Sequence, residues 1–246
     1  MTWSYSRLHS FEQCKYGWFL KYISKEKGEN KFYSSYGSFI HSILQLYYLG
    51  FYKKGELRNV FLSGFQTNVQ GERPSGTIVQ KYIESGLSYF DNLKPLPFQI
   101  REIEKKLNFS LNGIRMTGVL DLLCEQDGEY IIVDHKSRDL KPRSSRKTPT
   151  ENDKLLDSML RQLYLYAYGV KECYGKFPKE LCFNCFRSGT LIREPFRQDK
   201  CEEALRWAKD RVEEIKNEED FSPTIEYFFC RFLCDVSGEC VYYQSN

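Results

Sequence analysis

Two aspartates and a lysine stand in the stretch GVLDLLCEQDGEYIIVDHK, residues 118–136, in a pattern able to hold a metal ion against a phosphate. Asp127-Gly128 lies between two apolar runs and predicts a two-residue hairpin turn. Gln126 then faces Glu129, and the same pairing carried outward sets Asp121 opposite Asp134. Directly opposed Cβ atoms lie about 4.5–5.5 Å apart, where like charges repel unless a cation sits between them. Alternation turns Lys136 to the face of Asp134 and Ile132, and Ile131, Val133 and His135 to the other. Hard carboxylate oxygens suit Mg²⁺ or Mn²⁺, and an ammonium beside them can orient water and stabilise charge developing on phosphorus. This is equipment for metal-assisted phosphodiester hydrolysis. A surface Asp–Lys salt bridge would need only the D-x-K triplet; the opposed second aspartate and the apolar flanks of both strands are additional.

The elements that must position these groups follow from periodicity. Leu8, Phe11, Phe19, Leu20 and Ile23 recur at helical spacing over 5–23, and Phe39, Ile40, Ile43, Leu44, Tyr47 and Tyr48 form a stripe over 36–52. Helices continue over 56–70 and 75–92, broken by Gly71 and Pro74 and ended by Pro95 and Pro97. The period then changes to two. Segments 100–111, 114–124, 129–136 and 180–188 read as strands, the first three antiparallel through turns at Asn112-Gly113 and Asp127-Gly128. A basic loop over 137–150 precedes a helix over 151–172, and a last amphipathic helix spans 199–217. There is no internal repeat.

The chain has 246 residues, 41% hydrophobic and 28% charged, which fits one large α/β domain or two small ones and excludes collagen-like, mucin-like and wholly disordered chains. No run approaches the roughly 18 apolar residues of a membrane span. Arg7, Glu12 and Lys15 stand where a signal peptide would be apolar, so a cytoplasmic location is expected. The net charge of +3 is uneven: residues 136–147 hold six cations and one anion. Arg138, Lys141, Arg143, Arg146 and Lys147 could grip a phosphate backbone without regard to sequence, although a solvated loop carries such charge equally well.

Nine cysteines, in a reducing compartment, read as thiols or metal ligands rather than a disulfide framework. Cys230, Cys234 and Cys240 form a C-x3-C-x5-C tail that with a fourth thiolate could hold a [4Fe-4S] cluster or a tetrahedral Zn²⁺. Cys182 and Cys185 sit in a strand-like segment and read as core, as do Cys124, Cys173 and Cys201.

Five short motifs occur in one order: Ser4-Tyr5-Ser6-x-Leu8-x-x-Phe11-x-x-Cys14, Gly37-x-x-x-His41, Gly118-x-x-Asp121, Asp134-x-Lys136 and Gln162-x-x-x-Tyr166. Together they resemble the PD-(D/E)XK nucleases of the RecB and AddB type, the group that includes the CRISPR adaptation nucleases. The resemblance implies a restriction-endonuclease-like α/β core, with a central mixed sheet flanked by helices, a helical N-terminal part and a cysteine-rich C-terminal staple. It implies that His41, Asp121, Asp134 and the backbone carbonyl of His135 ligate the metal and that Lys136 is the catalytic lysine. Gln162 and Tyr166, four apart on one helix face, would hold the lysine region and the DNA backbone. Glu104 on the preceding strand is a weaker candidate for supporting this site. Cys14 would join Cys230, Cys234 and Cys240 in a [4Fe-4S] cluster, Zn²⁺ being the lesser candidate. The C-x3-C spacing departs from the group's usual C-x2-C.

The expected organisation is a helical part over 1–98 carrying Cys14 and His41, a nuclease core over 99–198 and a C-terminal helix with the cysteine cluster over 199–246, integrated as one domain. The expected function is a Mg²⁺- or Mn²⁺-dependent deoxyribonuclease, an exonuclease acting on single strands or free ends. Its setting would be repair, recombination, or phage or CRISPR DNA processing, beside helicase, recombination or adaptation proteins and away from membranes. Two alternatives are a catalytically silent DNA-binding or assembly subunit, against which Asp121, Asp134 and Lys136 argue, and a zinc-stapled structural protein.

Overall fold

The computed structural model describes residues 1–244. Its helical start differs from the single amphipathic run that spacing predicts over 5–23. Helix α1 (Tyr5–Gln13) stops at Cys14, whose extended backbone (φ −159°, ψ 112°) precedes α2 (Lys15–Phe19) and a π-helical turn over Leu20–Ser24. The Cys14 thiol accepts the Gly17 N–H at 3.3 Å and so caps α2, a one-residue interruption that periodicity does not register. Ile23, placed on the apolar stripe, is exposed.

Helices α3 (Phe32–Tyr48), α4 (Leu57–Asn68) and α5 (Gly76–Asp91) pack on one another around Phe32, Tyr36, Ile40, Phe61, Phe65 and Phe90. Most of the aromatic residues over 34–92 are thus interior to this helical part, and few are left to face a channel. Phe186, in a turn at the sheet's end, closes the cluster.

Strands β1 (Gln99–Leu111), β2 (Ile114–Gln126) and β3 (Glu129–Lys136) form the expected antiparallel meander. Both turns have left-handed backbones, with φ 49° and 85° at Asn112-Gly113 and 53° and 77° at Asp127-Gly128, the twist that suits a two-residue hairpin. Helix α6 (Glu151–Tyr174) crosses to β4 (Glu180–Cys185), which pairs parallel with β3, and β5 (Thr190–Pro195) closes the sheet in the order β1-β2-β3-β4-β5. Residues 180–188 are therefore a shorter strand and the turn of a hairpin. The β5 segment TLIREP escapes sequence reading because it is an edge strand in which only Ile192 is buried.

Helices α6 and α7 (Gln198–Lys216) cover one sheet face with α1, burying Leu8, Phe11, Ile132, Leu160, Leu163 and Val212 together. The other face buries Leu122, Ile131, Val133 and Cys182. The tail, with α8 (Tyr227–Phe232) and α9 (Val241–Gln244), returns to the N-terminal segment. Lys15 pairs with Glu218, Lys21 with Asp235 and Arg231 with Glu72, and buried Lys31 donates to Ser237 Oγ at 2.9 Å. Among the described residues no helix is long and apolar enough to cross a membrane.

Candidate active site

The hairpin pairing predicted for β2 and β3 is the one observed, through Leu122 opposite Val133. The ladder ends one residue before Asp121 and Asp134. There the strands part, and the Asp121 carboxylate accepts the His135 N–H at 2.6 Å in place of a backbone partner. The site occupies this fork.

Glu104 enters the fork from β1. Its register position lies between Ile103, paired with Leu122, and Lys105, paired with Leu120, hence beside Asp121. Its φ of 50° is left-handed, which is strained for a non-glycine residue inside a strand. His41 descends from α3. Its ligand atoms and those of Glu104 and Asp121 lie within 4.8 Å of one another, the only such group of three metal-binding side chains among the described residues. Glu104, the weaker candidate by sequence, thus gathers with His41 and Asp121, while Asp134 stands beside Lys136.

His41 Nε2 lies 2.9 Å from the His135 carbonyl oxygen, and His41 Nδ1 lies 3.6 Å from Asp121 Oδ2. Both backbone polar groups of His135 thus engage a candidate ligand. A carbonyl can only accept, so His41 Nε2 donates to His135 and its Nδ1, on the Asp121 side, keeps the lone pair that could bind a metal. Burial, with the nearby Asp134 charge adding to it, raises the Asp121 carboxyl well above the ordinary range. Burial and Asp134 raise Glu104 as well, and burial lowers His41. Three carboxyls and a neutral imidazole in one half-buried place are a donor set that a divalent cation relieves.

Asp134 Oδ2 stands 2.8 Å from Lys136 Nζ, yet this buried oxygen receives no properly directed hydrogen bond and retains an unused lone pair. Lys136 donates to Gln162 Oε1 at 2.9 Å, and Gln162 Nε2 donates to the Tyr166 hydroxyl at 2.9 Å. The three motif residues on β3 and α6 therefore form one chain. Burial pushes the Tyr166 hydroxyl up to about 12, so it stays protonated. A Cβ on Gly118 would lie 2.3 Å from Tyr166 Cε1, which gives the glycine of the Gly118-x-x-Asp121 motif a steric reason.

The basic loop is less free than its charge suggests. Arg143 is held by Asp157 at 2.7 Å and Glu194 at 2.9 Å. Asp153, buried in the first turn of α6, accepts from the N–H and hydroxyl of both Ser144 and Thr150, and these bonds hold its carboxyl far below the usual range. Arg138, Lys141, Arg146 and Lys147 are exposed and form no ion pair among the described residues. Sequence reading overlooked Asp153 as the anchor of this loop; Thr150-x-x-Asp153 is a capping pattern that could have signalled it.

The four candidate cluster cysteines lie in one region, although no three of their sulfurs come within 4.8 Å of one another. Cys14 Sγ accepts two backbone N–H bonds, from Gly17 at 3.3 Å and Thr224 at 3.4 Å, and the Cys14 and Cys234 sulfurs both flank Gly17. Burial raises the Cys230 and Cys234 thiols, and each lies close enough to Cys14 for a second charge to raise it further. Cys124, Cys182, Cys185 and Cys201 are buried as expected, whereas Cys173 is exposed near the C-terminal end of α6.

A crystal structure of a candidate exonuclease from Eubacterium rectale superposes over 100% of this chain and 88% of that one, at 13% identity and a TM-score of 0.57, which is a likeness of fold. The crystal structure of SSO0001 covers 97% of this chain and 93% of its own at 16% identity, with a TM-score of only 0.29. No curated protein matches the sequence. The family model of the PD-(D/E)XK nuclease superfamily matches residues 2–241, and the chain belongs to that superfamily.

Proposed function

We propose that this nuclease is a Mg²⁺- or Mn²⁺-dependent deoxyribonuclease that works from strand ends, with the fork of β2 and β3 as its active site. The observation that carries this reading is the meeting of His41, Glu104 and Asp121 beside the chain Lys136–Gln162–Tyr166. His41, Asp121, Asp134 and the His135 carbonyl would hold the ion, with Glu104 as a further carboxylate. A divalent ion supplies Lewis acidity, which makes water nucleophilic at neutral pH and draws charge from the phosphate.

The chain's own residues would do the rest. Lys136 keeps its ammonium at the fork because Gln162 accepts one of its protons, and from there it stabilises charge developing on a phosphate oxygen. Tyr166 keeps Gln162 from rotating. His135 N–H orients the Asp121 carboxylate toward His41. Arg138, Lys141, Arg146 and Lys147 supply sequence-independent contacts to the phosphate backbone, while Arg143 fixes the loop that bears them.

The same reading gives Cys14, Cys230, Cys234 and Cys240 a [4Fe-4S] cluster. Two backbone N–H donors on Cys14 suit a thiolate ligand, and the cluster would reinforce ion pairs that already join the chain's two ends. On this view residues 1–98, 99–198 and 199–246 act as one unit, in DNA repair, recombination, or phage or CRISPR DNA processing beside a helicase or adaptation partner.

The test is degradation of end-labelled and circular single strands and duplexes with Mg²⁺ or Mn²⁺, with Asp134→Ala and Lys136→Ala as controls. The proposal expects metal-dependent loss of the end-labelled strands, sparing of the circles and silence in both variants. Equal degradation by wild type and variants, or by none of them, would refute it. Iron and sulfide analysis of anaerobically purified protein tests the cluster, and one tightly bound zinc would refute that part.

A further inference from the structure

A second cavity, of about 600 Å³, lies on the far side of His135 from the metal-ligand fork, between α3, the end of α5, residues 92–97 and the β4–β5 turn. That volume is within the usual range for small-molecule sites. Three rings, Tyr48, Tyr89 and Phe186, line it together with Lys94 and Arg187. No Asp or Glu lines it, in a chain with 33 acidic residues.

Arg187 is prepared for an anion. Its guanidinium rests over the Tyr82 ring at 4.4 Å and Nη1 donates to the Tyr82 hydroxyl at 3.3 Å. Its Nε is buried out of a ligand's reach, and among the described residues the side chain pairs with no carboxylate, which leaves the Nη2 hydrogens for an anion. A guanidinium held by a ring, with Nη donors to spare, is suited to phosphate. The aromatic walls suit a planar base, and the Asn92 amide, with one Nδ2 hydrogen given to the Ser88 carbonyl and the rest of the amide free among the described residues, can read a base edge.

We propose that this cavity binds a nucleoside monophosphate, phosphate toward Arg187 and Lys94 and base among the rings. Its floor is shared with the active site. Asn184 Nδ2 donates to the Tyr89 hydroxyl at 2.7 Å and to His135 Nδ1 at 2.9 Å, and the Tyr48 and His135 rings stack 5.9 Å apart. The same His135 gives its N–H to Asp121 and its carbonyl to His41. Occupancy is thereby communicated to the fork through one residue. The consequence that nucleotide released from a strand end slows the enzyme rests on the function proposed above; the binding itself does not.

Calorimetric titration of the full chain, without added divalent metal, with dAMP, AMP, adenosine and inorganic phosphate tests this. One mononucleotide site is expected, with Arg187→Gln weakening it at least about tenfold and Arg187→Lys less. A preference for dAMP assigns the site to the product of DNA hydrolysis, and a preference for AMP to a free metabolite. Binding of phosphate as tight as that of dAMP, no nucleotide binding, or binding unchanged in both Arg187 variants would overturn the proposal. Histidine ring resonances in ¹⁵N spectra supply a readout independent of activity. Those of His135 are expected to shift with dAMP while His9 stays fixed, and a still His135 in the bound state would overturn the coupling.

Discussion

Lys136 on β3 donates to Gln162 on α6 across 2.9 Å, and this bond fixes where the ammonium stands relative to Asp134. Gln162→Leu keeps the volume and removes the acceptor. It is expected to lower kcat about 10- to 100-fold with little change in KM, the scale seen when a group supporting a metal-site residue is lost. Gln162→Glu, which keeps an acceptor, should retain more activity than Gln162→Leu. Steady-state kinetics on a labelled oligonucleotide decide this, and a purely KM effect would speak against the positioning role.

Gly118 and Tyr166 make a second close pair, since a Cβ on the glycine would fall 2.3 Å from the ring. Gly118→Ala should therefore destabilise by about 1–3 kcal/mol through overpacking and disturb Gln162 through Tyr166. In Tyr166→Ala the ring is gone, and adding Gly118→Ala should then cost far less. Denaturant melts of the two single variants and the double variant would show this non-additivity; simple additivity would contradict it.

Local chemistry was the most legible part of the sequence. Asn112-Gly113 and Asp127-Gly128 fixed the hairpins and their register, and the register carried Asp121 to the fork. The elements that escaped are those decided by tertiary partners. Cys14 breaks a periodic helix because its thiol takes an N–H, and β5 shows little pattern because only Ile192 is buried. The Asn112-Gly113 turn, carried outward in the same way, sets Glu104 opposite Asp121, so its place in the fork is legible from register, while its left-handed φ is not. Charge counting also could not tell Arg143, neutralised by two carboxylates, from its exposed neighbours.

Asp153 ties the basic loop to α6, and its carboxyl titrates far below the ordinary value of 3.8 because four donors favour the charged form. The sign follows directly: a depressed native pKa contributes stability that is fully present above pH 3.8 and is lost as pH falls toward the native value. The amide resonances of Ser144 and Thr150 should move with this loss. In Asp153→Asn the loop should be looser at neutral pH and this acid step absent. An acid step of equal size in the variant would show that another group controls the loop.

Thiol accessibility separates the lone cysteine on α6 from the tail cluster. Cys173 is exposed, while Cys14, Cys230 and Cys240 are buried. A maleimide followed by mass spectrometry should mark Cys173 first. If they hold the proposed cluster, Cys14, Cys230, Cys234 and Cys240 should become reactive together only after treatment with an iron chelator, and their labelling before it would count against a shared cluster.

The most direct measurement is Mn²⁺ binding to the purified protein, followed by calorimetry and electron paramagnetic resonance, in wild type, Asp121→Asn and His41→Ala. Saturable Mn²⁺ binding at the fork of β2 and β3 is expected, weakened at least about tenfold in each variant while thermal unfolding stays cooperative. Mn²⁺ binding unaltered by either substitution, or none in wild type, would contradict it.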